Sequence, residues 1–384
     1  MLIGLDGIPL TSPKTGVGHY TFELARALAK SDPENKFELV YPSSYPSIKL
    51  DANPVGSELP GNLSLKRAVV GPLGRHWWSN GLPRYLLRNN IELFHGTNYD
   101  VPLWRRCATV LTIHDLSLLL YPETHQKRSV RRARRRMPFM ARTADTIITP
   151  TESVRREVCE HLDINAEKVF AIPEAARASF RPIDFDSTQE VRCRLGCGDE
   201  FLLTVGTIEP RKNLSVLVTA LEQFARARPH SKLKLVIAGG LGWLTDPFFE
   251  NIKKSPSRDR IVVTDYLQDE ELRALYGSCR AFIYSSLYEG FGLPPLEAMA
   301  CGAPVIASRI PALVEVAGAA ASFFEPSDPT DLIETILALL DDANARNKLS
   351  IAGQTRAAEF SWQKAAQMTL EVYRIALQGF SARR

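Results

Sequence analysis

Glu289 and Glu297 stand eight positions apart in the run Glu289-Gly-Phe-Gly-Leu-Pro-Pro-Leu-Glu297. Pro294 and Pro295 are tolerated where a helix starts, because no N–H is needed there, and would break its middle. The spacing therefore predicts Glu289 in a loop and a helix over Pro295–Cys301, with Glu297 in its first turn and Gly302 as terminator. Gly290 and Gly292 let the backbone approach a ligand closely, beside a helix start that attracts anions. Carboxylates accept hydrogen bonds from sugar hydroxyls, and exposed N–H groups suit phosphate. The segment, including the backbone at Phe291 and Leu293, thus offers contacts to both halves of a sugar nucleotide.

Cations to match a diphosphate occur in Gly206-Thr-Ile-Glu209-Pro-Arg211-Lys212-Asn213. Arg211 and Lys212 precede the predicted helix Leu214–Ala227, with Asn213 as its expected N-cap. Two cations ahead of an electropositive helix start oppose the macrodipole by about 0.3–1 kcal/mol each. A bound diphosphate would reverse that penalty, and such a conflict marks a candidate site; the plainer reading is surface cations placed by chance. Gly16-Val-Gly18 precedes the predicted helix Tyr20–Lys30 and reads either as a phosphate-cradling turn or as a simple turn, since Thr21 occupies the third glycine position of a dinucleotide fingerprint. His114 and Asp115 end one apolar strand, and His95-Gly96-Thr97-Asn98 ends the preceding one. Either strand end could be a buried, satisfied histidine; side by side they suggest a substrate wall carrying His95, Asn98, His114 and Asp115.

Short apolar runs alternating with amphipathic ones must position these groups. Leu2–Asp6, Phe37–Tyr41, Leu93–His95, Thr109–His114 and Thr146–Pro150 read as buried strands, with helices such as Tyr20–Lys30 and Ser153–His161 between them. After the irregular stretch Pro173–Thr188, taken as a linker, the pattern restarts. Its strands are Phe201–Val205, Lys234–Ala238, Ile261–Thr264, Ala281–Tyr284 and Pro304–Ala307, and its helices include Asp269–Gly277 and Thr330–Leu340. This predicts an α/β chain of two doubly wound parallel-sheet domains, 1–180 and 181–361, facing a cleft, with a last helix (362–384) returning to the first domain. Ligands of such sheets bind at the carboxyl ends of strands, where the motifs fall.

A chain of 384 residues with 45% hydrophobic and 23% charged residues is an ordinary globular composition. No run approaches the roughly 20 apolar residues of a membrane span. The start, Met1-Leu-Ile-Gly-Leu-Asp6, reads as a strand rather than a signal peptide. Six scattered cysteines lack zinc-site spacing and read as reduced thiols of a cytoplasmic protein. No metal site is expected. The net charge is only +4, yet Lys127–Arg136 carries seven cations and no acid. That segment is either a solvated helix face or a contact for something anionic; nearby Met137, Phe139 and Met140 favour a membrane interface. No nucleic-acid-binding motif is present.

Together these residues make the chain resemble the retaining family 4 glycosyltransferases of the GT-B fold, also described as glycosyl transferases group 1. The most specific likeness is Tyr284 to Gly302, with its two glutamates separated by seven residues; Gly206 to Asn213 matches a second hallmark. The resemblance implies that Arg211 and Lys212 hold the donor diphosphate, Glu289 contacts the donor sugar and Glu297 the ribose. Gly16, Gly18, Gly206, Gly290, Phe291, Gly292 and Leu293 would line the donor, Tyr266 and Leu267 would lie near its base, and His114 beside the transferred sugar. Arg211, Lys212, Glu289 and His114 form the catalytic set, with His95, Asn98 and Asp115 on the acceptor side. The two glutamates would be binding groups, not the acid and nucleophile of a hydrolase.

Within that family the chain is similar to bacterial mannosyltransferases building O-antigen or exopolysaccharide. This implies GDP-mannose as co-substrate, no cofactor or metal, a lipid-linked or glycan acceptor, and a cytoplasmic location, peripheral at the membrane through Lys127–Arg136. A UDP-sugar donor, or a sugar-nucleotide epimerase on the same fold, is the enzymatic alternative. A nucleotide-sugar-binding protein without chemistry is the non-enzymatic one.

Overall fold

The computed structural model describes residues 1–12, 16–48, 59–70, 76–104 and 106–382. The chain forms two compact units. The first comprises Met1–Leu116, Arg131–Glu174 and Ser361–Arg384; the second comprises Ser117–Val130 and Ala175–Phe360. Two differences from the expected division follow. The crossing falls after Glu174 rather than after 180, and Ser117–Val130 groups with the second unit.

The first unit holds a parallel sheet of seven strands: β1 (Leu2–Asp6), β2 (Lys36–Pro42), β3 (Leu63–Ala68), β4 (Leu93–Gly96), β5 (Ala108–Thr112), β6 (Thr146–Thr149) and β7 (Val169–Ala171), in the order β3-β2-β1-β4-β5-β6-β7. Its final helix, Trp362–Ser381, packs on helix Gly16–Ser31 and against β5 and β6. The sheet order reverses between β1 and β4.

In the second unit β8 (Phe201–Val205), β9 (Lys234–Ala238), β10 (Ile261–Thr264), β11 (Ala281–Tyr284), β12 (Val305–Ser308) and β13 (Ser322–Phe324) form a parallel sheet ordered β10-β9-β8-β11-β12-β13. Side chains alternate strictly between its faces. Leu203, Val236, Phe282, Tyr284, Val305 and Ala307 join one core, under helices carrying Leu275, Leu296 and Leu313. Leu202, Leu235, Ile237, Ile283 and Ile306 join another, under Leu217, Leu221, Leu332 and Ile336. Both faces are covered, which is why these strands are almost uniformly apolar. The reversal here lies between β8 and β11.

Among the described residues no helix is long and apolar enough to cross a membrane. Among the described residues no two cysteines form a disulfide.

Candidate active site

At the β8/β11 reversal, the turn after β8 and the loop after β11 are stitched together. Leu287 N–H donates to Arg211 O at 2.9 Å, and the Ser285 hydroxyl donates to Lys212 O at 2.8 Å. This brings Lys212 and Glu289, 77 residues apart, into contact. The Lys212 ammonium donates to Glu289 Oε1 at 2.5 Å and to the Tyr284 hydroxyl at 2.7 Å. Tyr284 in turn donates to Glu289 Oε1 at 3.1 Å. Arg211 reaches Glu289 Oε2 at 2.9 Å, Glu209 Oε1 at 2.6 Å and the Tyr288 carbonyl at 2.8 Å. Gly206 has φ +152°, a conformation that side chains rarely adopt, and the Lys212 stem lies in van der Waals contact, 3.4 Å from where its Cβ would be.

Burial disfavours every charge in this cluster, and the partners decide the outcome. Burial pushes the Glu289 carboxyl up, but Arg211 and Lys212 overcome it and hold the group at about 2. The Glu209 carboxyl is raised by burial, which Arg211 and Lys212 oppose. Lys212 is lowered by burial, partly offset by Glu289. Two cations thus face two acids. The expected macrodipole conflict at the start of helix Leu214–Ala227 is answered within the chain, by Glu209 and Glu289. Asn213 is not the capping side chain expected. Its backbone is left-handed, φ 52°, and its amide donates instead to Pro326 O at 2.8 Å.

The helix predicted over Pro295–Cys301 runs over Leu293–Ala300, with Gly292 at its N-cap in a left-handed conformation (φ +106°). Glu297 consequently lies beyond the first turn and is buried. Its Oε1 accepts from Arg177 Nε at 3.0 Å and pairs with Arg177 Nη2 at 3.0 Å. The first-turn placement fails because Leu293, not Pro295, opens the helix. Gly206, Gly290, Gly292 and Leu293 all belong to the two stitched loops or the helix start between them. Phe291 is buried edge-on to Phe360. Tyr266 is 46% exposed, whereas Leu267 packs in the core with Leu275 and Leu296, so only the tyrosine of that pair has an exposed side chain.

In the first unit His114 follows β5. Its Nε2 lies 2.8 Å from the Thr97 carbonyl, which can only accept, so Nε2 carries the proton. Its Nδ1 faces Glu174 Oε1 at 3.4 Å. The Tyr20 ring stands edge-on at 4.7 Å and Tyr99 at 6.0 Å. Asp115, partly buried, donates its N–H to the Tyr99 hydroxyl at 3.1 Å, and Asn98 lies in the bend after β4.

His95 does not join this wall. It lies within β4, fully buried, with Nδ1 2.8 Å from the Tyr373 hydroxyl and Nε2 2.8 Å from the Thr112 hydroxyl. Burial, with His114 nearby, pushes it down to about 3, the behaviour of a neutral structural histidine. Gly16 and Gly18 form the first turn of helix Gly16–Ser31 rather than a turn ahead of Tyr20.

The stretch Pro173–Thr188 is not a loose linker. Glu174, Arg177 and Phe180 are buried, and Glu174 and Arg177 bind His114 and Glu297. Sequence reasoning passed over both, as well as Glu209, Tyr284 and Asp269. The available signal was an acid and an arginine embedded among apolar residues in Ile172-Pro-Glu-Ala-Ala-Arg-Ala178. Among the described residues no group of three or more His, Cys, Asp or Glu side chains is arranged to hold a metal ion.

Two family descriptions match adjoining parts of the chain: "Glycosyltransferase Family 4" over residues 14–177 and "Glycosyl transferases group 1" over residues 192–356. Together they account for most of its length, and the chain belongs to this family of glycosyltransferases. It is 28% identical to the O-antigen chain mannosyltransferase B of Escherichia coli, covering 96% of this chain and 98% of that one. It is 29% identical to the serotype-specific mannosyltransferase WbdA of Escherichia coli over 98% of its own length, but spans only 48% of that protein. Among solved structures it is similar to the sucrose-phosphate synthase of Thermosynechococcus elongatus (TM-score 0.75, 20% identity, 99% of both chains) and to WaaG, a glycosyltransferase of lipopolysaccharide biosynthesis (TM-score 0.73, 13% identity, 96% and 98%). The expected pair of Rossmann-like domains of the GT-B type is the fold found.

Proposed function

We propose that this glycosyltransferase moves mannose from GDP-mannose, with retained anomeric configuration, to a lipid-linked or glycan acceptor in cell-surface polysaccharide synthesis. The observation that carries the donor half is the Arg211–Lys212–Glu289 cluster at the β8/β11 reversal. It provides buried cations for a diphosphate and a carboxylate kept ionised for sugar hydroxyls. Similarity to two Escherichia coli mannosyltransferases supports mannose.

In this reading the acceptor hydroxyl oxygen bonds to the sugar C1 on the face from which the phosphate oxygen departs. Its proton passes to that phosphate oxygen, and GDP is released. Lys212 and Arg211 stabilise the charge developing on the leaving group, Glu289 orients the sugar, Glu297 holds the ribose, and His114 lies beside the sugar. No metal takes part.

A panel of GDP, UDP, ADP and their sugars should raise the unfolding midpoint selectively for GDP and GDP-mannose. Mannose transfer should then proceed equally with magnesium or chelator. A selective response to UDP and a UDP-sugar would move the donor assignment to uridine.

We also propose that the helix Lys127–Thr143 rests on an anionic lipid surface on the cytoplasmic side. Lys127, Arg128, Arg131, Arg132, Arg134 and Arg135 are exposed on it, while Arg136 turns to Asp100. Met137 and Met140 are buried, so the outward apolar group is Phe139, 52% exposed. Each cation near such a surface contributes about 1 kcal/mol. Replacing Arg131, Arg132, Arg134 and Arg135 by glutamate should abolish co-sedimentation with phosphatidylglycerol vesicles at low salt. Unchanged sedimentation would reject the assignment.

A further inference from the structure

We infer that Arg177 is a positioning residue for nucleotide recognition: it fixes Glu297 in the orientation needed to accept hydrogen bonds from the ribose hydroxyls. The inference rests on the reading of Glu297 as the ribose ligand.

Arg177 is the third residue after the crossing between units and is itself buried. Its guanidinium is constrained on every side. Nε and Nη2 both meet Glu297 Oε1 at 3.0 Å, and Nη1 pairs with Asp269. Asp269 accepts from the Ser179 hydroxyl at 3.1 Å, and the guanidinium carbon lies 4.5 Å from the Phe180 ring centroid. A planar fork gripped this way has one orientation, and it imposes one on the carboxylate it holds. Both contacts fall on Oε1, so the guanidinium holds the carboxylate by one oxygen.

Charge matters as much as direction. Glu297 is buried, and a buried carboxyl without a cation takes up a proton. Burial holds the Glu297 carboxyl above its usual range, and Arg177 limits that rise. A protonated carboxyl would surrender one of its two acceptor positions for the ribose. Lysine at 177 would supply charge but not the fork, and methionine neither.

The test compares GDP with dideoxy-GDP, which lacks both ribose hydroxyls, by calorimetry on the full chain; UDP and its dideoxy form replace them if the thermal panel selects uridine. Arg177→Met should weaken GDP about tenfold or more and dideoxy-GDP less than about twofold, with Arg177→Lys in between. Glu297→Gln should discriminate in the same direction. If Glu297→Gln discriminates but neither Arg177 variant does, Arg177 is only a structural tie and the inference falls while the ribose reading stands. If Glu297→Gln weakens both nucleotides equally or neither, the ribose reading fails and takes the inference with it. Thermal unfolding of each variant confirms that the folded protein is being titrated, and the lysine variant serves if the methionine one does not fold.

Discussion

Lys212→Ala is expected to lower turnover at saturating donor about a thousandfold, equivalent to about 4 kcal/mol of transition-state stabilisation. The ammonium is buried between Glu289 and the Tyr284 hydroxyl, where the low dielectric makes its charge most effective against a departing diphosphate. Arg211 cannot replace it, being already divided among Glu209, Glu289 and the Tyr288 carbonyl. Arginine at 212 would have to place a wider group beside Gly206, where the lysine stem already runs 3.4 Å from the Cβ position. Removing the lysine also leaves Glu289 with one cation, so a stability loss of about 3 kcal/mol accompanies the change. Adding Glu289→Gln separates the two effects, because it removes the buried charge that Lys212 left behind. The double variant should recover part of the unfolding midpoint and none of the turnover. A folded Lys212→Ala protein within tenfold of the parent rate would overturn the leaving-group role.

How far this site can be read from the chain depends on where each residue lies. Phe201–Val205, Lys234–Ala238 and Ala281–Tyr284 match the strands residue for residue, since strands inside a covered parallel sheet are short apolar runs; the edge strand Ile261–Thr264 matches too, because three of its four residues are β-branched and apolar. The strands that escaped notice are β3, β7 and β13, all at sheet edges. β3 exposes Lys66 and Arg67, and the other two are three residues long, so neither hydrophobicity nor length distinguishes them from loops.

The same logic separates the two strand-end histidines. His95 and His114 look alike in sequence, but His95 sits inside its strand and meets Tyr373, 278 positions away. Only the return of the last helix to the first sheet decides that role. His114 comes two residues after its strand ends, which frees its ring to meet the Thr97 carbonyl and Glu174. Likewise, Arg211, Lys212 and Glu289 were each recognisable as candidates. That the acid neutralises the cations follows only from β8 lying next to β11. Glu174 and Arg177 carried no periodicity, because they belong to neither a helix nor a strand.

Gly239→Ala should be the most damaging single-methyl change near the donor cluster, with a stability loss of about 4 kcal/mol or more and a matching loss of donor binding. Gly239 follows β9 with φ +152°, a conformation that side chains rarely adopt. A Cβ there would lie 2.1 Å from the Gly206 carbonyl oxygen and 2.7 Å from its carbon. Both are backbone atoms, so no rotamer change relieves the clash. The two loops are also tied, by Gly206 N–H to Ala238 O at 3.0 Å and Ile208 N–H to Gly240 O at 2.9 Å. Pushing Gly206 away therefore breaks these bonds and displaces the turn that carries Glu209, Arg211 and Lys212. The neighbouring Gly240 supplies the control. Its Cβ would meet nothing within 4 Å, so Gly240→Ala should change stability by less than about 1 kcal/mol. Denaturant midpoints and donor titrations of the two variants distinguish a local packing constraint from a general intolerance of this loop. Equal behaviour of the two alanines would mean that the close approach of β8 and β9 loops does not hold the cations in place.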